Sequence, residues 1–421
     1  MLTKFKPKSE FSRNVLTLMT GTSIAQAIPI AISPILTRIY TPEDFGVFAF
    51  FVAMVSLLGV IMTARYEQAI LLAKDDKEAM DVLTLGFVIA LLMLILLTVL
   101  VIVIEENLFE FLSFKSLGFW LYLVPLAAFL MSFFNLIKSF SNRRKQYKEI
   151  ANAVIIKAVV ISMVQIVAGF LKVGVGGLIF GQVLSQLFGN LRLAIIIIKE
   201  KTFFRDINVS TMWKIAKKYK NFPLYQMPHA FLNVFSISIP ILFFSSFFSL
   251  GVVGFYSLAT KILLVPLMLI ANASATVYNQ KVSELYRQGN DVYHFTLTFL
   301  LSLMKKIALI FIPIVIFAPH LFSYIFGEAW SQAGVYTQIL SPYIFLNAIV
   351  SSVIYITSLL GKQRKAFLVS IVHLVLSSIA LSIGVFYESV YLSLLLYVIC
   401  TVGILMYNLF WMLGELKRIK A

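Results

Sequence analysis

The 421-residue chain is short of the groups with which soluble enzymes work. It has a single cysteine, Cys400, so neither an intrachain disulfide nor a multi-cysteine metal site can form. Charged residues make up only 13% of it and just 19 are acidic, too few to solvate the surface of globular domains in a chain this long. There is no HExxH helix, no Gly-Lys-Ser/Thr phosphate loop, no GxGxxG turn and no DxD pair of the kind that holds a sugar-nucleotide metal. Asp75-Asp76 comes nearest, but it lies among lysines and reads as solvated charge. The longest polar stretch, Lys199 to Pro223, is too short for a catalytic domain. An enzyme working inside the bilayer would need a nucleophile and a base, and no such pair stands out. The chain is read as no enzyme, with no cofactor and no metal.

What the sequence does have is grease. Hydrophobic residues are 60% of the total, with 38 phenylalanines, and the mean hydropathy is +0.93. This composition belongs to an integral membrane protein, all-α, because each crossing of the hydrocarbon takes about 20 apolar residues in a helix. Twelve apolar runs fit, beginning with 14–39, 43–64 and 82–104 and ending with 366–386 and 390–413. Their count is checked by charge, since cytoplasmic loops collect Lys and Arg. With the N-terminus inside, thirty of the 35 basic residues fall in the two tails, the even-numbered loops and the flanking ends of their spans. The odd loops hold Glu43, Asp44, Glu105, Glu106, Glu110, Glu328 and Glu388. The expectation is twelve transmembrane helices with both termini cytoplasmic. The net charge of +16 is then topological bias, and no basic soluble domain exists to hold nucleic acid.

The polar stretch after the sixth run divides the chain into 1–198, a cytoplasmic basic linker 199–222, and 223–421. Within the linker, Trp213, Ile215 and Ala216 among lysines suggest a short amphipathic helix on the lipid surface, where anionic headgroups attract basic residues. "SPILTRIYTPEDFGVF" at 33–48 is similar to "IPILFFSSFFSLGVVGFY" at 239–256, and "SFSNRRKQY" at 139–147 to "SLLGKQRKAF" at 358–367. The offsets lie near half the chain length. Two pseudo-symmetric six-helix bundles, related by an axis along the membrane normal, would produce such offsets and leave a cleft between them.

Several runs carry polar residues at helical spacing: Thr22, Gln26, Ser33 and Thr37; Gln182, Gln186 and Asn190; Tyr225, His229, Asn233 and Ser236; Ser257, Lys261, Asn272 and Asn279; Asn347, Ser351, Tyr355 and Ser358. Such stripes serve either as interhelical hydrogen bonds or as the lining of a wet cavity. Ionisable groups inside a span are costly and point to function. Lys157 lies about two turns into the fifth run and Lys261 within the eighth, with His229, His373 and Arg38 shallower. The repeat offset taken from the local match, 219, sets Lys157 opposite position 376, one turn from His373. Snorkelling of the lysines toward headgroups is the alternative. No Asp or Glu falls in the middle of a run. A lining of cations and hydrogen-bond donors without carboxylates suits an anion such as phosphate, pyrophosphate or an acidic sugar, and not an organic cation.

In "LTRIYTPEDFGVFAFF", Leu36 to Phe51, Pro42 starts the second helix and Glu43 and Asp44 favour its positive dipole end. Arg38 breaks the positive-inside pattern. It pairs with Glu43 or Asp44 either as a plain salt bridge or as a gate latch.

This stretch, with "ARYEQAILLAKDDKEA", "NRRKQYKEIANAVIIKAV" and "IFGEAWSQAGVYTQILSPYIFLNAIVSSVIYITSLLGKQRKAF", resembles the polysaccharide repeat-unit flippases (Wzx type, O-antigen exporters) of the multidrug/oligosaccharidyl-lipid/polysaccharide (MOP) transporter superfamily, over essentially the whole chain. The resemblance implies a MATE-like, V-shaped pair of six-helix bundles. It also implies movement of an undecaprenyl-pyrophosphate-linked oligosaccharide between leaflets of a bacterial cytoplasmic (inner) membrane by alternating access. Expected partners are that glycan, membrane lipids and a polysaccharide polymerase, with no nucleic acid. Cationic cavities fit Lys157 and Lys261 as substrate-binding residues, with His229, His373, Gln26, Asn233, Asn272 and Asn347 beside them, and Arg38, Glu43 and Asp44 at a gate. The rival readings are a multidrug cation antiporter or a lipid II flippase of the same fold, and an intramembrane polysaccharide polymerase or ligase. The antiporter is disfavoured by the absence of a buried carboxylate, and the polymerase or ligase by short acidic odd loops.

Overall fold

Apolar runs of this length can satisfy their backbone inside hydrocarbon only as helices, and the computed structural model, which describes residues 10–111, 117–198 and 209–420, is helical throughout. In chain order the helices are α1 (Glu10–Ala31), α2 (Ser33–Ile39), α3 (Pro42–Met62), α4 (Tyr66–Ala69), α5 (Asp76–Phe111), α6 (Leu123–Arg143), α7 (Tyr147–Phe170), α8 (Val175–Ile198) and α9 (Val209–Lys218). They continue with α10 (Met227–Phe247), α11 (Leu250–Arg287), α12 (Val292–Ile316), α13 (Ala318–Phe326), α14 (Ser331–Val353), α15 (Ile356–Leu359), α16 (Gln363–Phe386) and α17 (Val390–Lys420). Among the described residues, twelve segments are long and apolar enough to cross a membrane, from Thr17–Ile39 to Val390–Arg418. The chain is a multi-pass integral membrane protein, and the twelve spans expected from the sequence are those observed.

The chain forms two compact units. One comprises Met1–Tyr40 and Val47–Ser238, the other Thr41–Gly46 and Ile239–Ala421. In the first, α7 packs on α8 and α1, and α6 packs on α5 and α8. In the second, α16 packs on α17, while α14 packs on α11, α12 and α17.

The two units repeat a pattern. Helix α7 runs Tyr147–Phe170 and α16 runs Gln363–Phe386, so both ends are displaced by 216 positions. The non-glycine residues Lys145 and Lys172, with φ of 57° each, flank α7 in the left-handed region. At the same displacement Gly361, at φ 67°, and Glu388, at φ 50°, flank α16. Each of these four residues ends a helix with the same backward hydrogen bond: Gln146 N–H to Ser141 O, Val173 to Ala168, Lys362 to Thr357 and Ser389 to Gly384. This is the left-handed C-cap that satisfies otherwise orphaned carbonyls. The packing of α7 on α8 and of α6 on α8 is matched by that of α16 on α17 and of α14 on α17.

Helix α9 forms as the sequence predicts, but Ile215 does not face lipid, which corrects the expected orientation. It is buried with Tyr219 and Phe222 in a cluster with Tyr66, Ile70, Val82 and Leu83, and Ala216 packs against the same cluster. The Tyr66 hydroxyl donates to the Ala216 carbonyl at 3.3 Å, and Lys218 is ion-paired to Glu78 on α5. The apolar side of α9 is spent on protein, and Trp213, 74% exposed, is left on the opposite side.

Candidate functional site

In the first unit the site is built around Lys157 on α7. Its stem can lie flat only because α8 has no side chain at Gly189, where a Cβ would come within 2.6 Å of Lys157 Cγ and Cδ. From there the ammonium reaches the face of Phe134 on α6, with Nζ 4.0 Å from the ring centroid. A cation over an aromatic face is held by the ring quadrupole and needs no carboxylate. Asn190, beside Gly189 in sequence, is 3% exposed and donates from Nδ2 to the Leu130 carbonyl at 2.8 Å. Gln186, one turn earlier, is 4% exposed. The side-chain oxygens of both amides have no hydrogen-bond partner among the described residues. Part of the Gln182–Gln186–Asn190 stripe thus works as an interhelical clamp, and part leaves unused acceptors. Elsewhere on α7 and α8, Tyr40 inserts against Gly169 and Gly177 and donates its hydroxyl to the Gln165 carbonyl at 2.7 Å.

The displacement of 216 carries Lys157 onto His373 itself, not onto position 376 as the local sequence match implied. The match was misled by its own gap, whereas the helix ends fix the register. His373 on α16 is hydrogen-bonded through Nε2 to Thr401 Oγ1 on α17 at 3.2 Å. Each unit therefore carries a nitrogen base at the same place in the repeat, Lys157 against an arene and His373 against a hydroxyl.

The second unit adds a hydroxyl cluster that sequence reading passed over. Tyr256 on α11, Tyr343 on α14 and Tyr397 on α17 lie close enough to interact electrostatically, and the rings of Tyr343 and Tyr397 are 6.0 Å apart. The chain has 18 tyrosines, so no pattern marked these three. Lys261, on α11 five residues after Tyr256, is half-buried and has no hydrogen-bond or ion-pair partner among the described residues. Asn347 is half-buried, with Nδ2 3.8 Å from Met268 Sδ, and Ser351 reaches the same sulfur at 3.9 Å.

The other candidates lie at the surface of their units. Gln26, Arg38, His229, Asn233 and Asn272 are exposed. Glu43 is exposed too, close to Gly251. Asp44 serves the backbone of its own helix, since its Oδ2 accepts from Thr41 N–H at 3.0 Å and Thr41 Oγ1 at 3.1 Å, while Thr41 Oγ1 accepts from Asp44 N–H at 3.2 Å. This reciprocal capping box starts α3, with Pro42 at its first position. The segment then crosses the start of α11 backbone against backbone. A Cβ at Gly46 would overlap the Leu250 carbonyl, and one at Gly254 would overlap that of Pro42. Each glycine sits on the residue four positions before the other, a reciprocal contact within the second unit. Among the described residues, no group of three or more His, Cys, Asp or Glu could hold a metal.

Comparison with known proteins bears on the fold and the family. Residues 35–335 match a family model described as polysaccharide biosynthesis protein. No curated protein matches the chain by sequence. Among solved structures, the lipid II flippase MurJ in an inward closed conformation is similar at TM-score 0.74 and 12% identity, with 97% of this chain and 89% of that chain covered. An inward-facing multidrug resistance MATE family transporter of the MOP superfamily gives 0.65 at 19% identity over 96% and 95% of the two chains. A MOP superfamily transporter from Pyrococcus furiosus, described as having a binding pocket of reverse polarity, gives 0.59 at 17% identity over 97% and 96%. The fold is the one these MOP superfamily transporters share.

Proposed function

This chain belongs to the polysaccharide biosynthesis protein family, and from that premise we propose that it is a flippase for undecaprenyl-pyrophosphate-linked oligosaccharide repeat units. It carries them from the cytoplasmic to the periplasmic leaflet of a bacterial inner membrane by alternating access. The ends of the spans rich in Lys and Arg, and both termini, face the cytoplasm.

The observation that carries the substrate class is a lysine inside a span of each unit. Lys157 and Lys261 stand inside candidate spans with no carboxylate partner among the described residues. An unpaired cation in hydrocarbon is costly, and an anionic cargo is the group that offsets the cost. Lys157 and Lys261 attract the pyrophosphate or acidic sugars. His373, Asn347 and the outward amides Gln26, Asn233 and Asn272, with His229, hydrate the glycan. The prenyl tail stays in lipid. That MurJ, a flippase of a lipid, has this fold supports a lipid as the cargo. Two lysines inside spans argue against a multidrug cation antiporter, and the carboxylate that is buried, Glu67 at 6% exposure, lies outside the candidate spans and is already engaged by Thr63 and Arg65.

The test is a strain lacking the protein. Lipid-linked repeat units should accumulate on the cytoplasmic side, and surface polysaccharide should return with the wild-type gene but not with Lys157→Ala/Lys261→Ala expressed to the same level. Normal surface polysaccharide in the deletion strain would overturn the function, and normal polysaccharide in the double variant would overturn the site.

A further inference from the structure

The outward side of α9 is a built surface that transport chemistry does not use. Ile215, Tyr219 and Phe222 are buried on one side of this segment, and Lys218 at the edge is paired with Glu78. The remaining arc presents Trp213, Lys214, Lys217 and Lys220, all exposed. It contains no acidic residue, and these three lysines have no ion-pair partner among the described residues. The Tyr219 hydroxyl contacts the Leu72 carbonyl at 3.5 Å, which brings a second apolar element alongside: Leu71 and Leu72 are 44% and 67% exposed.

Two candidate spans start here, at Phe222 and at Asp76, so the surface sits at the depth where helices enter the bilayer. At that depth an exposed tryptophan and leucines meet the upper acyl chains, and lysines meet headgroups. We propose that this face of α9 is a docking site for anionic phospholipid headgroups, which hold the first unit to the membrane surface. Charge complementarity selects the occupant, since three free lysines without an acid repel cations and gain nothing from a zwitterion. The ion pair to Glu78 and the hydrogen bond to Ala216 fix α9 to its unit, so a lipid gripping this face grips the whole unit. The proposal is independent of the transported cargo.

It is tested by reconstituting the full chain in nanodiscs carrying either brominated anionic or brominated zwitterionic phospholipid at the same mole fraction. The emission of the wild type minus that of Trp213→Phe isolates Trp213. Each basic residue near an anionic surface favours it about fivefold, so quenching by the anionic lipid should exceed that by the zwitterionic lipid at least about twofold. The excess should vanish in Lys214→Gln/Lys217→Gln/Lys220→Gln, with quenching by the zwitterionic lipid retained as the sign that α9 is still docked. Equal quenching by the two lipids in the wild type, or an excess that survives the triple substitution, would overturn the proposal. So would a Trp213 quenched by neither, the result expected if water or another protein covers the face.

Discussion

Replacing Lys157 by Met separates what the residue costs from what it does. Methionine keeps an unbranched stem on Gly189 and deletes the ammonium. On insertion scales a lysine in the middle of a span costs about 2.5–3.5 kcal/mol. The Phe134 ring, 4.0 Å from Nζ, returns about 0.5–2 kcal/mol, and no carboxylate adds to that. The balance predicts a Lys157→Met protein more stable than wild type by about 0.5–3 kcal/mol. Transport should fall at the same time, because the cation that meets the cargo has gone, whereas Lys157→Arg should keep part of it. Thermal unfolding in nanodiscs of one lipid composition measures the first effect, and surface polysaccharide at matched protein levels the second. A lower unfolding midpoint would mean that Lys157 holds the bundle together. A higher midpoint with undiminished transport would mean that the charge has no role, and either result refutes the reasoning.

Three further outcomes follow from the packing. Gly254→Ala drives a Cβ into the Pro42 carbonyl and should destabilise the protein by about 1–3 kcal/mol or more, the cost of overpacking where backbone must yield. Gly403→Ala on α17, where nothing lies within 4 Å, should instead gain about 0.5–1 kcal/mol of helix propensity, and equal effects of the two would contradict the crossing described for α3 and α11. Thr41→Ala removes the capping hydroxyl and should cost roughly 1 kcal/mol, read in the same unfolding assay, with no loss if the capping box is idle. The Lys218 ammonium is held above its ordinary value of 10.5, chiefly by its hydrogen bond to Glu78. A cation raised in this way supports docking below its ordinary value and ceases to do so as pH climbs through the raised one. Hydrogen exchange in α9, corrected for intrinsic rate, should therefore stay slow at neutral pH and quicken only in the alkaline range; loosening at neutral pH would contradict it.

The spans were legible because hydrocarbon leaves the backbone no alternative to helix, so apolar run length alone located all twelve, though not their ends. The alternation of Lys and Arg checked the count independently. The repeat was legible in outline but not in register. Short similar segments such as "SFSNRRKQY" and "SLLGKQRKAF" tolerate gaps, and only the helix ends and the left-handed residues Lys145, Lys172, Gly361 and Glu388 set the displacement that joins Lys157 to His373. The amphipathicity of α9 was visible in Trp213, Ile215 and Ala216 among lysines. Which side packs on protein was not, because that depends on Tyr66 and Leu83 from distant parts of the chain. The same limit hid Phe134 and Gly189, whose meaning lies entirely in what they do for Lys157, and the cluster of Tyr256, Tyr343 and Tyr397. Asp44 could be read as a charge near a helix start, but its exchange of hydrogen bonds with Thr41 needed coordinates.

The most direct measurement is translocation in proteoliposomes holding the purified chain and a polyprenyl-pyrophosphate-linked oligosaccharide with a labelled glycan. An impermeant glycosidase added outside reports how fast the inner pool becomes accessible. The account predicts exposure of the inner pool when the protein is present, slowed by Lys157→Met and by Lys261→Met. Exposure no faster than in protein-free vesicles, or a rate indifferent to both lysines, would contradict it.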